Sequence, residues 1–199
     1  MAVKRNALAL VALAALVFSI PAIAGNSLIA PGERKKVAKS DLSITPTTEW
    51  NRLDERPGRR AETWTLDGDA LNDVTFYGGI EPDRPLFAEV DKRNQPLPRV
   101  SATMLITDIP LLFETSYRVA FGTSLMTIDS VEPAVFAGHK GVRFTYSFVR
   151  QDEDVHRRGE ARAAMIEGAL YMITYEAPTL HYFDRSLAAF RQLADSARF

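Results

Sequence analysis

The densest run of side chains able to do chemistry is His156-Arg157-Arg158-Gly159-Glu160-Ala161-Arg162. Successive side chains of an extended strand point to opposite faces, so His156, Arg158, Glu160 and Arg162 share one face. Such a face suits a solvated sheet patch or a contact for an anion or a partner, and these four residues are the candidate contact surface. No aromatic stacking platforms interleave with the basic residues, which argues against single-stranded nucleic acid. His139, beside Gly138 and Gly141, is the most enzyme-like local setting and the sole anchor for a hydrolase, yet no G-x-S-x-G elbow occurs in the chain. His139, His156 and His181 fall on a turn, a strand and a helix start without ligand spacing, so no metal site is expected. Asp152-Glu153-Asp154 reads as a solvated hairpin tip, since it lacks the spacing and central glycine of a calcium loop. G-x-G-x-x-G and Walker loops are also missing, so no cofactor is implied and no catalytic residue is assigned.

These residues must be positioned by the stretch from Gly141 to Phe199, which reads as three antiparallel strands followed by an amphipathic helix. Val142, Phe144, Tyr146 and Phe148 alternate with Arg143, Thr145 and Ser147, so one face of the first strand is core. The second strand, Val155 to Ile166, carries Gly159, Ala161 and Ala163 as a strip of small residues that allows close approach. Glu167-Gly168 turns into a third strand, Ala169 to Ala177, whose two faces are both largely apolar. A strand apolar on both faces is covered on both faces, so layers are expected above and below the sheet. Pro178-Thr179 opens a helix with a stripe of Leu180, Phe183, Leu187, Phe190, Leu193, Ala194 and Ala197, and with Asp184, Arg185, Arg191, Gln192 and Asp195 opposite. A small apolar ligand held between sheet and helix would be lined by Tyr146, Tyr171, Tyr175 and Phe183.

Upstream, VAKSDLSIT (residues 37–45) suits a strand ended by Pro46, and Trp50 a plug at the core edge. Ala61–Leu66 and Asn72–Ile80 form two strands joined through Asp67-Gly68-Asp69. Residues 81–100, with Pro82, Pro85, Pro96 and Pro98, make a long excursion with a short extended piece over Leu86–Val90; loops of this length commonly bind or cover something. Thr107-Asp108 caps a helix that runs through Leu112, Phe113, Tyr117, Ala120 and Phe121 to Gly122. Met126–Val131 and Pro133–Phe136 form a strand bent near Pro133.

Lys4 and Arg5, an apolar run from Ala7 to Ile20, and Ala22-Ile23-Ala24 make residues 1–24 a secretory signal peptide with cleavage expected after Ala24. The run falls short of a full membrane span and ends in a cleavable segment, so a processed periplasmic or secreted protein is expected, with a retained anchor as the alternative. Residues 25–36 form a flexible linker and residues 37–199 a single α+β domain. Cleavage leaves 175 residues with a formal charge of −3, so no basic field suggests nucleic acid. There is no cysteine, hence neither disulfide nor lipid attachment through an N-terminal Cys, and the domain must fold on its core alone.

Ser43-Ile44-Thr45-Pro46 running to Trp50, the central helix, the hairpins from Gly141 to Ala177 and a last helix ending in Leu193-Ala194-Asp195-Ser196-Ala197-Arg198 resemble the Mog1/PsbP-like α/β/α sandwich, particularly its bacterial envelope members. The resemblance implies an antiparallel sheet covered by helices on both faces and a binding or assembly role without chemistry. Together these features point to an exported, non-enzymatic envelope protein with a protein partner; the carrier of a small apolar ligand is the alternative.

Overall fold

Alternation of large apolar side chains with small or polar ones builds the middle of a wide sheet. The computed structural model describes residues 25–123, 125–151 and 153–199. Among them, strands β1 (Ser27–Ile29), β4 (Trp50–Arg52), β5 (Ala61–Thr65), β6 (Asp73–Ile80), β7 (Met126–Phe136), β8 (His139–Val149), β9 (His156–Ile166) and β10 (Ala169–Pro178) form an antiparallel sheet in the order β1-β4-β5-β6-β10-β9-β8-β7. Strands β2 (Lys35–Lys36) and β3 (Ser43–Ile44) pair separately, and helices α1 (Ile109–Phe121) and α2 (Tyr182–Asp195) lie on opposite faces. The fold is thus the expected α+β sandwich.

The central strand β10 serves two cores. Its Ile173 and Tyr175 pack with Trp64, Phe76, Phe183, Phe190 and Leu193 under α2. Leu170 and Met172, on the other face, pack with Phe113, Phe144 and Tyr146 under α1. Two hairpins fix the register. Ala137-Gly138 and Glu167-Gly168 all take positive φ (48°, 85°, 52° and 79°), the geometry of tight turns that follow the twist of their strands. In the resulting register Tyr146 faces Gly159 and Phe144 faces Ala161. A Cβ on Gly159 would lie 2.1 Å from Tyr146 Cζ, so the small strip admits the aromatic rings of β8 as well as the helix above them.

Helix α1 begins with Pro110 in its first turn and ends at Gly122, which takes φ 63°. Asp108 does not cap it with its side chain; Oδ2 accepts from Leu105 N at 3.0 Å in the preceding 3-10 turn. Helix α2 starts later than expected because β10 runs on to Pro178 and His181 takes φ 71°. Leu180 therefore sits in the turn, 86% exposed, and is not part of the buried stripe.

Several expectations upstream need correction. Residues 25–36 are not simply a linker: Ser27–Ile29 pairs with Trp50–Arg52 at the sheet edge, and Lys35–Lys36 pairs with β3. The strand expected over residues 37–45 shrinks to Ser43–Ile44, because Ala38 and Lys39 adopt positive φ. Leu86–Val90 forms no strand; instead Leu86, Phe87, Leu97 and Val100 drop from the excursion into the core under α1. β7 is one strand whose register shifts between Ile128 and Ser130 rather than at Pro133, and a proline is tolerated because β7 is an edge. The expected signal peptide, residues 1–24, lies outside the described residues. Among those described, no helix is long and apolar enough to cross a membrane.

Candidate binding site

The four charged residues singled out on β9 do share a face, but that face lies under α2. Glu160, with only 1% of its side chain exposed, accepts from Arg191 Nη2 at 2.6 Å and from Arg191 Nε at 3.2 Å. Arg162 bonds Asp195 on the same helix, and the Arg158 guanidinium stands 4.5 Å above the Phe183 ring. Only His156, at the strand's start, and Arg158 are exposed. As an open contact surface the set is therefore corrected: most of its charge fastens the helix to the sheet.

The apolar quartet is corrected too, since the sheet divides it. Tyr146 lies in the core under α1, whereas Tyr175 and Phe183 lie in the core under α2, with Tyr171 packed against it. The Tyr175 hydroxyl donates to the carbonyls of Tyr182 and Phe183 at 3.1 and 2.9 Å, and Tyr171 meets the Phe199 ring edge-on at 4.9 Å. These four cannot line one cavity. His139 is exposed at the start of β8, edge-on to Phe199 at 5.9 Å. Of the acidic hairpin tip, Asp152 lies outside the described residues and Glu153 stands 3.5 Å from Arg157.

What the fold does bring together is a pair of carboxylates that no motif joins. Asp73 opens β6 and faces Glu176 on β10 in register, both on the α1 side. Glu176 is buried; its Oε1 accepts from the Tyr146 hydroxyl at 3.0 Å and its Oε2 from the Tyr117 hydroxyl at 3.1 Å. Arg150, at the end of β8, reaches Asp73 Oδ2 at 3.3 Å, while Asp73 Oδ1 is buried with no hydrogen-bond partner among the described residues. Burial, and then the neighbouring Glu176 charge, push the Asp73 carboxyl up to about 7 against the opposing pull of Arg150. Burial also raises Glu176, with Arg150 and the two tyrosine hydroxyls working against that shift. The tyrosines themselves are raised by burial and by the Glu176 charge, so they act as donors throughout the ordinary pH range.

A cavity of about 410 Å³ opens over this pair, walled by Tyr77, Phe87, Phe121 and Arg150 among others. Phe87 is also the wall of a second cavity, of about 630 Å³, lined by Lys39, Arg56, Arg59, Arg60 and Arg84. The partition between the two is the segment from Glu55 to Gly58, clamped to the proline-rich excursion: Ala88 N donates to Pro57 O at 2.7 Å, and a Cβ on Gly58 would lie 2.2 Å from Leu86 O. The first cavity can hold or release a proton near neutrality and can receive a cationic group; the second offers guanidinium donors. One signal for the first was present in the sequence. Glu176 is a single carboxylate in the apolar run ALYMITYEAP, on the same face as Leu170 and Met172.

No protein-family model matches the sequence, and a search of curated proteins gives no match. Among solved structures, the solution structure of cyanobacterial PsbP (CyanoP) from Synechocystis sp. PCC 6803 is similar, with a TM-score of 0.52 and 12% identity over 88% of this chain and 93% of that one. LpqN of Mycobacterium tuberculosis, involved in cell envelope biogenesis, superposes with a TM-score of 0.37 at 8% identity, over 87% of this chain and 82% of that one. At such identity the likeness to PsbP is one of architecture, and it shows that this chain has the Mog1/PsbP-like fold.

Proposed function

We propose that this protein is an extracytoplasmic assembly module, without chemistry of its own, that docks a protein partner over the Asp73–Glu176 cavity. The observation carrying this proposal is the in-register carboxylate pair at the base of an open cavity with Phe121, 43% exposed, at its side. Both oxygens of Glu176 are already committed to tyrosine hydroxyls, which suits a fixed electrostatic feature. An arginine or lysine from a partner would complement Asp73, and a half-exposed aromatic beside it is the kind of anchor on which protein interfaces concentrate their energy. The signal-like pattern of residues 1–24 supports the location, and the PsbP-like architecture accords with a scaffold that presents surfaces.

Site-directed photocrosslinking in cells tests the proposal. A crosslinker at Phe121 should give a discrete adduct that one at Ala188, on the exposed side of α2, does not. Because Asp73 loses its charge on protonation, the Phe121 adduct should weaken as the external pH falls from 8 to 6. Equal adducts at both positions, or none at Phe121, would refute docking at this cavity.

A further inference from the structure

The second cavity assigns a different ligand. We infer that the basic cavity beside Phe87 binds a phosphate-bearing anion, either a free phosphate compound or a phospholipid headgroup. Lys39, Arg56, Arg59, Arg60 and Arg84 line it, and among the described residues its carboxylates are those of Glu81 and Glu89. Those carboxylates do not neutralise the set. Glu89 is taken by Arg99, whose Nη2 reaches its two oxygens at 2.9 and 3.0 Å, and Glu81 is 3.9 Å from Arg60. Arg56 is directed to the buried Glu62 at 3.5 Å. Lys39, Arg59 and Arg84 make no side-chain ion pair or hydrogen bond among the described residues.

Like charges crowded at one cavity repel each other, and a bound anion would convert that repulsion into attraction. Phosphate suits the donors better than a single carboxylate does, since its oxygens can take more than one guanidinium fork at once. Part of the frame is already set. Arg60 Nη1 donates to Lys39 O at 2.5 Å, and the backbone around Arg84 is pinned by Arg84 N to Glu81 O at 3.2 Å and Val100 N to Arg84 O at 3.0 Å. The remaining wall, with Ile80, Pro85 and Phe87, offers apolar surface to the organic part of a phosphate ester, and a cavity of about 630 Å³ falls in the size range of small-molecule sites.

This assignment does not depend on protein docking at the neighbouring cavity. Inorganic pyrophosphate titrated calorimetrically, and flotation with vesicles of phosphatidylglycerol or of phosphatidylcholine, separate the two sources. The paired variant Arg59→Gln with Arg84→Gln changes exposed side chains, and its circular dichroism and urea midpoint report whether folding is intact. A free phosphate ligand predicts pyrophosphate binding that weakens by about tenfold or more in the paired variant, as expected for lost charge-assisted bonds. A headgroup ligand predicts flotation with phosphatidylglycerol but not phosphatidylcholine, again lost in the variant, with weak or no pyrophosphate binding. Absence of binding in both arms, equal flotation with the two lipids, or binding unchanged in the folded variant would overturn the inference.

Discussion

Two carboxylates facing each other across neighbouring strands repel unless one of them keeps its proton, and the surroundings of Asp73 and Glu176 favour that solution. Asp73 is raised from the ordinary 3.8 to about 7, chiefly by burial. A carboxyl raised on folding holds its proton in the folded state over a range where the unfolded chain has released it. Its contribution to stability is therefore constant below about pH 4, falls as pH rises from about 4 to about 7, and levels off above, with a total loss of at most about 4 kcal/mol. Glu176 is raised too and acts in the same direction. Asn at position 73 keeps the shape without the titration. Urea midpoints of Asp73→Asn should consequently change less between pH 5 and pH 8 than those of the wild type, the remaining dependence being that of Glu176, and parallel pH profiles for the two proteins would show that Asp73 does not contribute.

At the scale of elements, α2 shows what was legible and what was not. Phe183, Phe190, Leu193 and Ala194 recur at helical spacing, and all four are buried against the sheet. Arg191 and Asp195 occupy the expected outer side, yet their side chains reach back to Glu160 and Arg162 on β9. Long side chains cover apolar surface with their stems while the charged heads turn toward partners, so a polar residue on a helical wheel does not reveal where its charge ends. The charged face of β9 looked solvated for the same reason. The strands of the Gly141–Ala177 region and the central helix could be read because their periodicity is local. β1, β2 and β4 are two or three residues long and exist through pairing with other short segments, which leaves too few positions for a period to show. Asp73 and Glu176 meet only through the pairing of β6 with β10, so no spacing could announce them. The fastening of α2 has a measurable consequence. Arg191→Met would leave the buried Glu160 carboxylate without its half-exposed guanidinium partner and should cost about 1–3 kcal/mol. Adding Glu160→Gln should recover part of that loss, and a single-variant cost below about 0.5 kcal/mol, the size of an ordinary surface change, would show the pair to be incidental.

At the scale of the whole molecule, the decisive feature is that the two cores share strands rather than merely touch. β10 gives Ile173 and Tyr175 to the core under α2 and Leu170 and Met172 to the core under α1, and β6 divides Phe76 and Tyr77 in the same manner. Losing α2 would expose one face of strands whose other face still packs under α1, and fraying of those strands would open the second core. Physical continuity of this kind favours one cooperative unfolding transition over two. The aromatic residues supply a direct test. Both tryptophans, Trp50 and Trp64, are buried in the core under α2, so tryptophan emission follows that side alone, whereas far-ultraviolet circular dichroism follows the whole sheet. If the cores are one unit, the two signals should trace the same urea transition with the same midpoint and slope. An emission change that clearly precedes the loss of dichroism would mean that α2 lifts away as a separate unit, and the shared strands would then not couple the two faces.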